Sequence, residues 1–266
     1  MARLLQLSDL HVVARGRLAS GVLDTAVLLR AGIDHLLDRR DAIGSIDAVL
    51  VTGDVSDDGS EESYAFARAE LDRLGLPLLV IPGNHDRREA LRAAFADTAT
   101  GMPDGGPIDW SIEVAGTLVI GLDTLVEGRG GGTLRPESLS HLERALGSAQ
   151  GRPVVVALHH PPLKTGIRFM DAIGLDNVAE LAEVLRPFDG SAHVLSGHVH
   201  GVHHAMLGRH PVVTAPSMCS AFRLDRRDDA PIGFMTGPRG CAVLDTGANG
   251  TWVAVMFDEG DGPFAF

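Results

Sequence analysis

Short apolar runs alternate with longer amphipathic segments along the first third of the chain. The runs have the length of buried strands, whereas the segments repeat apolar positions every three to four residues, as one face of a helix does. Strands that alternate with helices pair in parallel and build a layered α/β core. The pattern predicts strands over 3–8, 48–53 and 78–83, and helices over 25–40, 60–74 and 87–95.

The pattern changes after a Gly/Pro-rich break at 101–107. Two β-rich runs within 110–124 flank Gly116 and predict a hairpin that turns there. Short strands dominate the C-terminal part, including PVVTAPS, GCAVLDT and TWVAVMF. Between these regions we expect helices over 136–147 and 176–186, and strands over 153–160 and 192–198.

These elements predict an α/β protein with two mixed β-sheets that pack on each other and are flanked by helices. We expect a single domain over 1–266, in which the strand-rich part from about 205 to 266 completes the second sheet. Two domains are the alternative that the length allows, but the Gly/Pro segments are too short to be convincing linkers.

The charge and the apolar runs narrow the functional classes. The chain has 23 basic and 35 acidic residues and a formal charge of −12, which argues against broad nucleic-acid binding but leaves room for a small anionic substrate. No apolar run approaches the roughly 20 residues of a membrane span, and no leader pattern opens the sequence, so we expect a cytoplasmic protein. Two cysteines make no disulfide framework and are expected to be buried free thiols.

Polar side chains follow five of the predicted strands at the point where each strand ends. Because ligands bind outside the carboxyl ends of the strands in open α/β sheets, we expect these clusters to meet at one rim. Carboxylate, amide and imidazole ligands suit first-row divalent metals, and no thiolate joins them. The clusters are Asp9-x-His11, Gly53-Asp54, Gly83-Asn84-His85-Asp86, His159-His160-Pro161 and Gly197-His198-x-His200.

Taken singly, each cluster has a plain structural interpretation. Asp9 has the residue type of a helix N-cap, Gly53-Asp54 is an ordinary turn pair, and a lone buried His159 is more often a hydrogen-bonded core residue than a ligand. The metal hypothesis depends on the recurrence of such residues after strand upon strand.

The five clusters, in this order, resemble the signature of the calcineurin-like metallophosphoesterases. Their flanks (LSDLH, GNHD, HHPPL and TAPSMC) are similar to the bacterial class III branch, which hydrolyses cyclic nucleotides and glycerophosphodiesters. The resemblance implies a four-layer αββα fold and a dinuclear centre of Mn²⁺, Fe²⁺/Fe³⁺, Zn²⁺ or Co²⁺. It also implies in-line attack of a metal-bound hydroxide on a small phosphodiester, and a homodimer is a further expectation.

By position, the resemblance assigns one metal to Asp9, His11 and His200, and the other to Asn84, His159 and His198. Asp54 would bridge the two ions. His85 matches the family histidine that contacts substrate, where it would steady a phosphate oxygen or protonate the leaving group. Asn84 would thus lie next to the substrate as well, and His160 would either support the metal ligands or contact substrate.

Several points stay open at this stage. His203 and His204 match no family position and are expected to be structural or surface residues. The loops over 161–174, with Lys164 and Arg168, and over 221–231 are candidates for substrate selection, and Arg15 and Arg17 are weaker ones. A phosphomonoesterase or a nuclease of the same fold is the alternative enzyme, and a metal-free scaffold is disfavoured because every ligand position is filled.

Overall fold

The computed structural model of the chain describes residues 1–14, 16–190, 192–247 and 250–257. It contains eleven strands and seven helices within these ranges. The strands are β1 (Arg3–Leu7), β2 (Ala48–Thr52), β3 (Leu78–Ile81), β4 (Trp110–Val114), β5 (Thr117–Leu122), β6 (Val154–Leu158), β7 (Ala192–Ser196), β8 (His204–Leu207), β9 (His210–Thr214), β10 (Gly240–Asp245) and β11 (Trp252–Met256). The helices are α1 (Thr25–Asp38), α2 (Arg40–Ile43), α3 (Glu61–Asp72), α4 (Arg88–Ala94), α5 (Pro136–Gly147), α6 (Arg168–Asp171) and α7 (Val178–Leu185).

The strands form two mixed sheets. The first has the order β11-β10-β1-β2-β3, and the second has the order β4-β5-β6-β7-β9-β8. β1, β2 and β3 run parallel to one another, as do β5, β6, β7 and β9, while the outer strands pair antiparallel. The loops that follow the parallel strands of each sheet therefore leave at one rim of that sheet.

Alternating side chains of the second sheet enter two different cores. Val119, Val155 and Leu195 join a cluster with β1, β2 and the helices α1, α3 and α4. Their neighbours Ile120 and Val156 pack instead with α5 and α7. Because successive strand residues point to opposite faces, this alternation places the second sheet between the first sheet and its own helices. The predicted four-layer αββα order is confirmed.

One part of the predicted topology is wrong. Residues 205–266 were expected to complete the second sheet, but β10 and β11 lie in the first, where β10 pairs with β1 from Arg3↔Asp245 onward. Only β8 and β9 join the second sheet. The alternation of apolar residues along a strand does not specify which sheet edge the strand pairs with. β1 can pair with β10 because β2 and β3 lie on the other side of β1. Residues 258–266 fall outside the described ranges, so the single domain over 1–266 stays a prediction.

Candidate metal centre

The rim at the carboxyl ends of the parallel strands is built from strained backbone. Among the described residues, eight non-glycine positions have positive φ, and five of them belong to the predicted clusters. A residue with a Cβ adopts positive φ at a cost of about 1–3 kcal/mol. Such residues concentrate at sites where the fold holds a functional group in place. The five are Asp9 (φ 53°), His11 (46°), Asp54 (51°), His198 (69°) and His200 (45°).

Two glycines of the clusters let these strained loops approach one another. A Cβ at Gly83 would lie 2.2 Å from Asp54 Oδ1 and 2.4 Å from the Asp54 nitrogen. A Cβ at Gly197 would lie 1.9 Å from Ser8 Oγ and 2.7 Å from Asp9 Oδ2. The glycines are thus required by close packing between loops, which explains why each precedes a polar residue.

Four of the predicted ligands converge on one point. His11 Nε2 lies 3.1 Å from His200 Nε2. Asp9 Oδ1 is 3.4 Å from His200 Nε2, and Asp54 Oδ2 is 3.5 Å from His11 Nε2. All four residues are buried.

A second group converges beside the first and shares Asp54 with it. Asn84 Oδ1 lies 3.1 Å from His159 Nε2 and 2.9 Å from His198 Nδ1. Asp54 Oδ2, the same oxygen that faces His11, is 3.3 Å from His159 Nε2. One carboxylate oxygen therefore adjoins both groups.

These separations fit ligands of metal ions. Two donor atoms that are each about 2.1 Å from one ion, at an angle of 90–110°, lie about 3.0–3.4 Å apart. The distances across both groups run from 2.9 to 3.5 Å. The donor set of imidazole, carboxylate and amide matches first-row divalent ions. The His/Asp groups of this rim can accordingly hold divalent metal.

The protonation of the rings supports the same conclusion. His159 Nδ1 donates a hydrogen bond to the Thr52 carbonyl at 2.8 Å, and His198 Nε2 donates to the Ile173 carbonyl at 3.0 Å. A carbonyl oxygen only accepts, so these nitrogens carry a proton, and in the neutral rings that can bind metal the opposite nitrogens present lone pairs. Those lone pairs face Asn84 Oδ1, another acceptor, and a cation between them removes the repulsion.

The buried carboxylates also need positive charge nearby. Burial alone would raise the pKa of Asp9, but the neighbouring His200 outweighs it and lowers the pKa to about 2. Burial likewise opposes ionisation of Asp54, whose pKa His159 and His11 hold well below its usual range. Both groups are therefore anionic at neutral pH, and cations bound among them would be strongly attracted.

Sequence reasoning missed Asp57, which connects a predicted metal ligand to the predicted substrate contact. Asp57 Oδ1 accepts from His11 Nδ1 at 2.9 Å and from His85 Nδ1 at 3.1 Å. Both rings consequently present Nε2 away from Asp57, and the His11 Nε2 points at the first group of ligands. The signal that could have found Asp57 is its position three residues after Asp54, but an Asp-Asp pair in a turn has no distinctive pattern.

His160 is placed beneath the ligands and has no exposed surface. Its Nδ1 is 2.8 Å from Thr124 Oγ1, and its Nε2 donates to the Gly130 carbonyl at 3.0 Å. Both nitrogens are thus occupied by protein groups. Burial lowers the pKa of His160 well below its usual value, with the nearby His198 acting in the same direction. The sequence predicts that His160 either supports the metal ligands or contacts substrate. These contacts match the supporting role, because both ring nitrogens are already hydrogen-bonded to the protein.

His203, His204 and the two cysteines lie as expected. His203 is bonded to Thr214 ahead of β8, and His204 is exposed on that strand. Cys219 and Cys241 are buried free thiols, and burial raises the pKa of each to about 12.

Three of the cationic residues considered for substrate binding are paired with groups of the protein. Lys164 Nζ donates to the Asp171 carbonyl at 2.7 Å, and Arg168 pairs with Asp228. Arg17 pairs with Asp58, and Arg15 lies outside the described residues. The loops over 161–174 and 221–231 therefore contact each other through the Arg168–Asp228 ion pair.

A cavity of about 200 Å³ opens above the ligand groups. Its polar side includes His11, Asp54, Asp57, Asn84, His85, His198 and His200, and its apolar side includes Leu23, Phe169, Met170, Ile173, Phe222 and Phe234.

The sequence profile of the calcineurin-like phosphoesterases matches residues 2–202, which span all five clusters. The chain belongs to this family.

Two relatives support the same branch of the family. The chain is 33% identical over 234 residues to the "Probable glycerophosphodiester phosphodiesterase GpdQ" of Arcobacter nitrofigilis, covering 88% of this chain and 84% of the relative. It is 33% identical over 255 residues to the "3',5'-cyclic adenosine monophosphate phosphodiesterase CpdA" of Pseudomonas aeruginosa, covering 96% and 90%. The family and branch predicted from the motifs and their flanks are confirmed.

A solved structure shares the fold at low identity. A dimetal phosphatase from Danio rerio superposes with a TM-score of 0.66 at 14% identity and covers 97% of this chain and 99% of its own. Among helices in the described ranges, none combines the length and apolar character needed to cross a membrane.

Proposed function

We propose that the chain is a metal-dependent phosphodiesterase that hydrolyses small phosphodiesters, either 3',5'-cyclic nucleotides or glycerophosphodiesters. The observation that carries this proposal is the pair of ligand groups that share one oxygen of Asp54, at 3.5 Å from His11 and 3.3 Å from His159. The relatives named for both substrate types support the choice of a diester.

The residues divide into two sets around Asp54. Asp9, His11 and His200 would hold one divalent ion, Asn84, His159 and His198 the other, and Asp54 would bridge them. When bound, the two ions supply Lewis-acid activation of water and neutralise charge on the phosphoryl oxygens. Neutral imidazoles and the Asn84 amide leave the centre net positive, which attracts an anionic phosphate to an otherwise acidic protein.

His85 is the candidate catalytic acid in this proposal. It lines the cavity, and its Nδ1 is held by Asp57, so Nε2 is left for the substrate. Burial opposes protonation of His85, but the hydrogen bond to Asp57 and the charge of Asp54 outweigh it and raise the pKa to about 9. A protonated His85 can donate to a phosphate oxygen or to the leaving alkoxide.

The finer assignments remain predictions. The donor set suits Mn²⁺, Fe²⁺/Fe³⁺, Zn²⁺ and Co²⁺ alike, and metal availability decides among them. A homodimer and a cytoplasmic location are likewise expectations from the sequence. Sedimentation of the metal-loaded protein would measure its mass in solution and so test the homodimer.

The test compares two substrates that differ in one ester bond. Mn²⁺-loaded protein is assayed with bis-p-nitrophenyl phosphate and with p-nitrophenyl phosphate, and Asp54→Ala serves as the inactive control. We expect diester hydrolysis that the variant lacks. Hydrolysis of the monoester alone would establish a phosphomonoesterase instead, and equal activity of both proteins would refute the role of Asp54.

A further inference from the structure

The cavity above the ligand groups has two chemically different sides. Its floor is polar and carries the predicted metal ligands. The apolar part of the lining includes Leu23, Phe169, Met170, Phe222 and Phe234, which we call the aromatic wall. A phosphodiester that places its phosphate on the polar residues brings at least one of its organic groups within reach of this wall, because the cavity is small, at about 200 Å³.

The aromatic wall is assembled from two segments that hold each other. Helix α6 supplies Phe169, and an antiparallel bridge between Ala221 and Met235 places Phe222 and Phe234 next to each other along a hairpin-like segment. The Phe169 and Phe222 rings meet edge to face with centroids 5.3 Å apart. The wall is therefore a built surface rather than a chance exposure of single residues.

The wall is also anchored to the metal site. The Phe222 ring stacks on the His200 ring with centroids 4.5 Å apart and an interplanar angle of 26°. This contact sets the wall directly beside the position of the phosphate. A flat group attached to the phosphate within one or two bonds would consequently reach the phenylalanines.

Few polar groups on this side can satisfy a hydroxylated alcohol. Two serines line the cavity, and the Ser220 hydroxyl lies 2.8 Å from His200 Nδ1 and is occupied there, which leaves Ser20. Glycerol hydroxyls placed against the phenylalanine rings would lose water without gaining hydrogen-bond partners from those rings, which is unfavourable. A flat aromatic ring would instead bury apolar area and pack against the phenylalanine rings.

We propose that the aromatic wall receives a nucleobase, so that the site prefers phosphodiesters of nucleosides, 3',5'-cyclic nucleotides among them, over glycerophosphodiesters. This inference rests on the proposed phosphodiesterase function and selects between its two substrate classes. Phe169 is the main specificity-determining residue, because it lines the cavity, its ring packs against Phe222, and it is not itself a predicted metal ligand.

The test isolates the base with two matched probes. Binding of adenosine 5'-monophosphate and of ribose 5-phosphate to Mn²⁺-loaded protein is measured by calorimetry, since the two differ only in the base. We expect the nucleotide to bind at least about 10-fold more tightly. Phe169→Ala should weaken nucleotide binding by about 5- to 150-fold, the range for a lost base–aromatic stack. Phe169→Leu, which keeps apolar volume without a ring, should recover only part of the loss.

The controls separate the wall from the metal centre. Leu224 lies on the same segment as Phe222 but is 57% exposed. Leu224→Ala should therefore leave the affinities for the nucleotide and for ribose 5-phosphate unchanged. Metal content is measured for every variant. Equal affinity for the two probes, or an equal loss for both in Phe169→Ala, would overturn the inference. Hydrolysis of glycerophosphoethanolamine in preference to cyclic AMP would overturn it while leaving the proposed function intact, whereas absence of any diester hydrolysis would overturn both.

Discussion

Asp57 offers the sharpest test of how the rim is organised, because one oxygen of this residue contacts two histidines with different proposed tasks. Asp57 Oδ1 accepts from His11 at 2.9 Å and from His85 at 3.1 Å. Partners of this kind fix the tautomer and orientation of a ligand, and their loss costs about 10- to 100-fold in metal affinity or activity. Asp57→Ala should therefore lower kcat by about 100-fold.

The replacement Asp57→Asn separates charge from geometry. The amide oxygen can accept from both rings, but the hydrogen bonds are no longer charge-assisted and lose about half their strength. We expect a loss of about 10-fold in kcat for Asp57→Asn, between the native protein and the alanine variant. Asp57→Asn should rank between the native protein and Asp57→Ala because the amide still presents one oxygen that both histidines can share.

The assay is steady-state hydrolysis of bis-p-nitrophenyl phosphate with metal content determined on the same samples. Asp58→Asn is the matched control, because Asp58 contacts Ser60 and Ser63 at the start of α3 instead of the histidines. Turnover per bound metal that stays unchanged in Asp57→Ala would refute the link to His85. A loss no larger than that of Asp58→Asn would refute the reasoning altogether.

Three further predictions concern packing, charge and metal. Gly83→Ala should reduce activity more than 100-fold and lower the melting temperature, because the added Cβ would lie 2.2 Å from Asp54 Oδ1. Gly105→Ala is the control and should be neutral, because a Cβ at Gly105 would meet no atom within 4 Å. Glu70→Gln should cost about 1–2 kcal/mol in urea unfolding at pH 7, because the buried carboxylate bonds two arginines. The pKa of Glu70 lies below its usual 4.5, so its carboxylate contributes fully to the free energy of unfolding above that pH and loses this contribution as the pH falls further. The difference in stability between Glu70→Gln and the native protein should therefore shrink at low pH. The control variant Glu143→Gln, at an exposed position, should show neither effect. Chelation should lower the melting temperature by about 5–10 °C, as expected for removal of a ligand present at about 100 times its Kd, and Mn²⁺ should restore it.

The sequence predicted the strands and the ligand positions because both follow local rules. Continuous apolar runs such as Val154–Leu158 indicate strands buried on both faces, and the polar residue after each run marks the rim. Helix ends shifted by one or two residues, and the four-residue helices α2 and α6 were missed because one turn leaves no periodicity to detect.

What the sequence could not predict depends on contacts between distant segments. The pairing of β10 with β1 joins residues separated by most of the chain, and nothing in either strand specifies the partner. The positive φ of His198 and the shared hydrogen bonds of Asp57 arise only once loops that lie far apart in the chain meet. The grouping of Phe169 with Phe222 is likewise set by how two loops pack.

The central claim is that Asp54 joins two metal sites, and metal stoichiometry tests it most directly. Purified protein is stripped by chelation, reloaded with Mn²⁺, freed of excess metal by gel filtration and analysed by mass spectrometry beside Asp54→Ala treated in the same way. We predict two ions per native chain and one or none in the variant. A native chain that binds a single ion, or a variant that still retains two, would contradict the account.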